Sequence, residues 1–79
     1  MKRLVLDIET DKDATKIHLV VTLNIHTKEL QCHTDVSSLA PLIEHCEQVI
    51  AHNGIKFDFF HLQRLWKLSI PTPKQRDLS

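Results

Sequence analysis

The sequence has no excess of charge of either sign, since ten lysine and arginine residues balance ten aspartate and glutamate residues. A strong electrostatic field for gathering nucleic acid is therefore absent, which argues mildly against a stand-alone DNA-binding module. Cysteine is scarce: Cys32 and Cys46 form no CxxC pair, and no disulfide framework is indicated. The first apolar run, RLVLDIE, is too short and too charged for a signal peptide or a membrane span. These absences favour a cytoplasmic protein with reduced thiols and no membrane partner.

The chain has 79 residues, which predicts one small domain over residues 1–79. A chain of this length buries only about 60% of the surface that its unfolded form exposes, so we expect marginal stability. Its hydrophobic content of 42% is ordinary for a globular protein. No internal repeat, low-complexity segment or linker divides the sequence.

Three apolar runs with short connections predict an antiparallel meander of three strands, at residues 2–9, 17–25 and 29–34. The segment DVSSLAPLIEHCEQ changes to helical spacing, with Ser37 or Ser38 as the cap and Pro41 in the first turn. A fourth strand, QVIAHN, leads through a sharp Asn-Gly turn into a second helix after Gly54. The last segment, SIPTPKQRDLS, contains two prolines and is predicted to be irregular.

The predicted order β-β-β-α-β-α indicates a mixed sheet with helices packed on it. A strand that follows a helix is most economically placed parallel to the first strand, through a right-handed crossover. We therefore predict an α/β fold in which the fourth strand pairs in parallel with the first.

Asp7 and Glu9 lie two residues apart on the first strand, which places both carboxylates on one face and Ile8 on the other. Two neighbouring carboxylates beside apolar residues are costly to bury without cations, and hard oxygen ligands suit Mg²⁺ or Mn²⁺. The alternative is that the strand end emerges into solvent with two solvated acids.

Asp58 lies between Phe57 and Phe59, where the second helix is predicted to begin. If the fourth strand lies beside the first, this carboxylate joins Asp7 and Glu9 at one edge of the sheet. The alternative is that Asp58 caps the helix or interacts with its dipole from the first turn. A metal ligand at a helix start is compatible with both roles.

The segment DIET resembles the first motif, Asp-x-Glu, of the DnaQ-like (DEDD) 3′-to-5′ exonucleases, and HNGIKFD resembles their second motif. The similarity is closest to the N-terminal proofreading exonuclease domain of short-tailed-phage family A DNA polymerases. In that group a Gly directly follows the Asn and an Asp lies five residues after it, as do Asn53, Gly54 and Asp58 here. The segment TKIH also resembles that group, and the similarity covers nearly the whole chain.

The resemblance implies an RNase H-like fold and two-metal hydrolysis of phosphodiester bonds at single-stranded DNA 3′ ends, with Mg²⁺ or Mn²⁺. It implies that the catalytic metal ligands are Asp7, Glu9 and Asp58. Asp7 would bridge both ions, and Glu9 would also approach the 3′-terminal nucleotide. Asn53 would hold the substrate strand, and His52 lies close enough in sequence to touch it. Two ions can activate the attacking water and stabilise the leaving 3′ oxygen.

The family's third motif carries a fourth acid and a Tyr or His that orients the water, and we expect this chain to lack it. Asp77 resembles instead the Asp that begins the segment after the second motif's helix, so a fifth strand and a last helix are expected to be absent. We therefore predict that the isolated chain is inactive. It would work with a partner polypeptide that completes the domain, self-associate, or be a fragment of a larger polymerase. The alternative is a non-catalytic RNase H-like module that contacts a replication protein, with vestigial acids.

Overall fold

The computed structural model describes residues 3–78, which form a five-stranded mixed sheet and two α-helices. The strands are β1 (Arg3–Thr10), β2 (Ile17–Asn24), β3 (Glu29–His33), β4 (Gln48–Ala51) and β5 (Gln75–Asp77). The helices are α1 (Val36–His45) and α2 (Phe59–Trp66), with a π-helical turn at Gly54–Asp58 and a 3-10 turn at Thr72–Lys74. Neither helix in this part of the chain is long and apolar enough to cross a membrane.

The strands lie in the order β3-β2-β1-β4-β5. β1, β2 and β3 form an antiparallel meander, as the sequence predicts. β4 pairs in parallel with β1, with Leu4 opposite Val49 and Val5 opposite Ile50. The prediction that the fourth strand lies parallel to the first is therefore confirmed, and the carboxyl ends of these two strands meet at one edge of the sheet.

The C-terminal segment is more regular than the sequence suggests. Residues Gln75–Asp77 form β5, so the predictions of an irregular tail and of an absent fifth strand are wrong. Both Pro71 and Pro73 lie before this strand, where they remove no hydrogen-bond donor from the sheet. β5 pairs in parallel with β4, and the register brings Asp77 beside Ala51.

The start of α1 also differs from the prediction. Asp35, and neither of the two serines, is the N-cap, because its carboxylate accepts a hydrogen bond from the backbone N–H of Ser37 at 2.8 Å. The helix therefore begins at Val36, and Pro41 lies in its second turn instead of its first. The proline ring removes one backbone hydrogen bond there.

The hydrophobic core lies between one face of the sheet and the two helices. In β1 the buried side chains are Leu4, Leu6 and Ile8, which alternate with more exposed neighbours. The helices contribute Leu39, Ile43, Phe59 and Leu62. α1 connects β3 to β4, and α2 connects β4 to β5. Both connections join parallel strands and run toward the β5 edge of the sheet, so right-handed crossovers place both helices on the same face.

The opposite face of the sheet is covered by no helix or strand of residues 3–78, and we call it the open face. Strand alternation and register place on it the following side chains: Arg3, Val5, Asp7 and Glu9 of β1, Leu19, Val21 and Leu23 of β2, Leu30 and Cys32 of β3, Ile50 of β4, and Arg76 of β5.

A buried polar link joins β2, β3 and α1 on the covered face. His33 is 2% exposed, its Nε2 lies 2.9 Å from Thr22 Oγ1, and its Nδ1 lies 2.8 Å from Ser38 Oγ. Both hydroxyl groups can donate or accept, so the neutral imidazole is fully hydrogen-bonded. Burial lowers the pKa of His33, and the negative charge of Asp35 offsets only part of this effect.

We expect the protein to lose stability as pH falls below 6.5, the usual pKa of histidine. Because the pKa of His33 is lowered in the folded protein, the unfolded chain binds a proton at this imidazole more readily than the folded chain does. The stabilisation that the neutral imidazole provides is therefore complete above pH 6.5 and decreases at lower pH. The loss is at most about 1.4 kcal/mol per pH unit. Urea unfolding at about pH 7.5 and about pH 5.5 measures it. The pH dependence should shrink in His33→Gln and persist in the exposed control His26→Gln. An equal pH dependence in both variants would contradict this prediction.

Candidate functional site

Asp7 and Glu9 both lie exposed on the open face, while Ile8 between them is buried on the covered face. The predicted division of these three side chains between the two faces is therefore confirmed. Asp7 lies opposite Val21 of β2, and Glu9 lies opposite Leu19. The two carboxylates are thus solvated acids on an apolar stretch of sheet.

Asp58 is positioned by the π-helical turn that precedes α2. The carbonyl oxygen of Asn53 accepts hydrogen bonds from the backbone N–H groups of Phe57 at 2.8 Å and Asp58 at 3.3 Å. Asp58 is 5% exposed and occupies the N-cap position of α2, but its side chain makes no cap hydrogen bond. Its carboxylate instead accepts a hydrogen bond from the backbone N–H of Ile8. The second helix therefore presents this acid to the end of β1.

The electrostatic environment of Asp58 disfavours its ionised form. Burial raises the pKa of Asp58 above its usual 3.8, and the negative charges of Asp7 and Asp77 raise it further. The hydrogen bond from Ile8 lowers the pKa only in part. A cation beside Asp58 would reverse this balance, because it would stabilise the carboxylate.

Asp77 is a member of this cluster that the sequence did not reveal. It ends β5, and its Oδ2 accepts a hydrogen bond from the backbone N–H of Ile55 at 3.0 Å. This bond ties the π-helical turn to the edge of the sheet. The resemblance places Asp77 at the start of the next segment, but alternation cannot identify the strand, because β5 has only three residues and follows two prolines.

The three predicted metal ligands are only partly brought together. The charges that act on Asp58 are those of Asp7 and Asp77. Within residues 3–78, no group of three or more His, Cys, Asp or Glu side chains is arranged to hold a metal ion. The Asp7 and Asp58 carboxylates fit a hard divalent cation by charge and by ligand type, whereas the full set with Glu9 is not assembled.

The predicted substrate residues line a cleft next to this cluster. His52, Asn53, Ile55, Lys56 and Asp77 surround a volume of about 510 Å³. His52 and Lys56 are exposed and carry hydrogen-bond donors, so this cleft offers donors to a phosphate beside the acids. Asn53, which the resemblance singled out, and His52, which precedes it in the sequence, thus line the same cleft as Asp77.

Replacing Asp58 with asparagine is expected to stabilise the protein by about 1 kcal/mol at neutral pH. Because the pKa of Asp58 is raised in the folded protein, the protonated side chain contributes its full stabilisation below pH 3.8. This stabilisation is lost as the pH rises through the raised pKa and the carboxyl group ionises. Asparagine can still accept the Ile8 hydrogen bond but carries no charge. Urea unfolding of both proteins measures the gain, which should vanish near pH 3.8. The exposed Asp13→Asn is the matched control, and a destabilised Asp58→Asn would show that the fold requires the charge.

No protein-family model matches the chain, and neither a curated protein nor a solved structure matches it.

Proposed function

We propose that the chain is the N-terminal part of a two-metal-dependent 3′-to-5′ exonuclease domain with an RNase H-like fold, of the proofreading type found in phage DNA polymerases. Its substrate is the 3′ end of single-stranded DNA, and its cofactor is Mg²⁺ or Mn²⁺. The observation that carries the proposal is the position of buried Asp58 beside the end of β1, within electrostatic reach of Asp7. This edge joins the carboxyl ends of two adjacent parallel strands, where sites in α/β sheets usually lie.

Each acid has a separate role in the proposal. Asp7 and Asp58 would hold a divalent cation, and Glu9, two residues further along the same face, would complete the oxygen ligands. The backbone N–H of Ile8 keeps the Asp58 carboxylate oriented toward β1. A cation held by these acids would supply Lewis-acid chemistry, by which the attacking water would be activated and the leaving 3′ oxygen stabilised.

The substrate strand enters through the cleft beside the acids. His52 and Asn53 contact the strand there, and Lys56 supplies a positive charge to a phosphate. Because the whole chain has no net charge, this local arrangement of donors does the work that a basic surface does in many DNA-binding proteins.

We assign the remaining catalytic groups to a part of the domain outside residues 1–79, on a partner polypeptide or on the rest of a larger polymerase. A fourth acid and a water-orienting Tyr or His are needed, and this sequence contains no tyrosine. The completed domain would act in the cytoplasm, which is that of the host cell if the chain is phage-encoded.

Titration of Mn²⁺ into the chain, followed by electron paramagnetic resonance, tests the cation part of the proposal without any nuclease activity. We expect weak binding, in roughly the millimolar range, because few protein ligands are in place. Asp7→Asn and Asp58→Asn should each remove it, whereas Asp13→Asn in the exposed loop should leave it unchanged. Equal Mn²⁺ binding by all four proteins would reject the assigned ligands.

A second candidate is a non-catalytic RNase H-like module that contacts a replication protein. The hydrogen bond from Ile8 favours it, because this bond gives Asp58 a structural role that needs no metal. The same titration separates the two candidates, since vestigial acids would bind no Mn²⁺ in any of the variants.

A further inference from the structure

The open face is apolar where a solvent-facing sheet is usually polar. β2 contains the run Leu19, Val20 and Val21, followed by Leu23, so apolar side chains point to both of its faces. Such near-continuous apolar runs are typical of strands that are buried on both sides. On β3, Leu30 is 64% exposed on this face. The residues of the sheet therefore indicate that a second layer covers it.

One row of apolar side chains crosses the middle of the open face. Leu30 pairs with Leu23, Leu23 pairs with Val5, and Val5 pairs with Ile50, so the row contains one residue from each of four adjacent strands. A row of apolar side chains of this kind can pack against a second apolar surface of the same shape.

Charges of opposite sign lie at equal distances from this row on β1. Arg3 lies two residues before Val5 and Asp7 lies two residues after it, all on the same face. At the rise of a strand, each charge is roughly 7 Å from the row. Glu9 extends the acidic side by two more residues. Along β1 the face is thus positive at one end, apolar in the middle and negative at the other end, while Val21 and Leu19 continue the apolar surface on β2.

We propose that the open face binds a second copy of this chain in a twofold-symmetric dimer whose axis runs along the apolar row. Rotation about this axis stacks the two sheets with their strands antiparallel, and it places each β1 against its counterpart. Leu30, Leu23 and Val5 then meet their own copies, and Arg3 faces Asp7 of the partner subunit. A twofold interface requires a self-complementary surface of this kind.

The charges select this arrangement over the other twofold packing. An axis parallel to the strands would place Arg3 against Arg3 and Asp7 against Asp7, and such like-charge contacts are unfavourable. Sheets that pack face to face keep their strands within about 30° of each other, which the antiparallel stacking satisfies. Arg76 lies at the outer end of the row, so this axis also brings it to its own copy, one like-charge contact at the rim against two Arg3–Asp7 pairs on β1. Its guanidinium donates to the carbonyl oxygens of Pro73 and Gln75.

The dimer does not rest on the proposed nuclease function, because the apolar row and the charges need no cation. Asp7 faces Arg3 of the partner subunit in the dimer, so dimerisation and cation binding by Asp7 exclude each other. Sedimentation velocity of the purified chain tests it directly. We expect a concentration-dependent dimer. Leu30→Glu should raise its dissociation constant by on the order of tenfold or more, because the change puts two carboxylates at the axis. A tenfold change equals about 1.4 kcal/mol. Leu30 is exposed on an edge strand, so circular dichroism should show an unchanged fold.

Matched variants make the outcome decisive. Phe60→Glu, at a residue 53% exposed on α2 and away from the open face, should leave the dimer unchanged. Arg3→Asp should weaken the dimer, and Arg3→Asp combined with Asp7→Arg should restore it, because the charge pair is only exchanged. A chain that stays monomeric at all concentrations, a dimer insensitive to Leu30→Glu, or a double variant as weak as Arg3→Asp would each overturn the proposal.

Discussion

Replacing Asp7 with asparagine should reduce the trimming of a labelled single strand from its 3′ end by on the order of 10³-fold, equal to about 4 kcal/mol of transition-state stabilisation. The assay contains the chain, Mn²⁺ and a polypeptide that supplies the missing third motif. Asp7 is the acid assigned to both cations, and asparagine removes its negative charge while keeping its size. The negative charge of Asp7 also raises the pKa of Asp58, so one substitution alters the charge of the whole cluster.

The effect of Asp7→Asn can be separated from a loss of folding. Asp7 is exposed on the open face and contributes nothing to the core, so the thermal stability should stay close to that of the parent. Asp13→Asn serves as the matched control, because it removes one exposed carboxylate of the same type. Trimming that survives Asp7→Asn would show that the metal roles are assigned to the wrong residues, and trimming by the chain alone would show that no third motif is needed.

The second large effect is expected at Gly54, where alanine should destabilise the protein by about 1–3 kcal/mol. A Cβ atom at this position would lie 2.5 Å from Cε2 and 2.8 Å from Cζ of the Phe59 ring. Phe59 is 5% exposed and packed in the core, so its ring cannot move away without disturbing its neighbours. In a domain of this size such a loss is a large part of the total stability. Urea unfolding measures it.

Two further variants identify the Gly54 effect as steric. Ile55→Ala changes the next residue, which is 61% exposed, and should alter the unfolding free energy by no more than about 0.5 kcal/mol. Phe59→Leu removes part of the ring, so Gly54→Ala should be less destabilising in that background. If Gly54→Ala costs the same in both backgrounds, contact with Phe59 is not the reason for the glycine.

The glycine illustrates why a sequence motif can be identified while its local geometry is not. HNG predicts a sharp Asn-Gly turn, yet Gly54 does not adopt a positive φ. The chain turns at His52 and Asn53 and then enters a π-helical turn. Glycine is required there by the close approach of Phe59, which is set by packing five residues further along the chain.

Features that depend on local periodicity and chain direction could be predicted from the amino-acid sequence alone. Alternation in β1 separated Asp7 and Glu9 from Ile8, and helical spacing located both helices. The parallel pairing of β4 with β1 followed from the handedness of a strand–helix–strand connection. These features depend on neighbours in the sequence, so the residue pattern is sufficient to predict them.

The construction of the site depends on contacts that form only in the folded chain. Asp77 entered the acidic cluster through a three-residue strand that is stabilised by its pairing with β4. The raised pKa of Asp58 and its hydrogen bond from Ile8 depend on groups that lie fifty residues apart in the chain and meet through packing. The apolar row across four strands likewise appears only when the register is known. Electrostatics and contacts between distant segments depend on distances in space, which periodicity in the sequence does not encode.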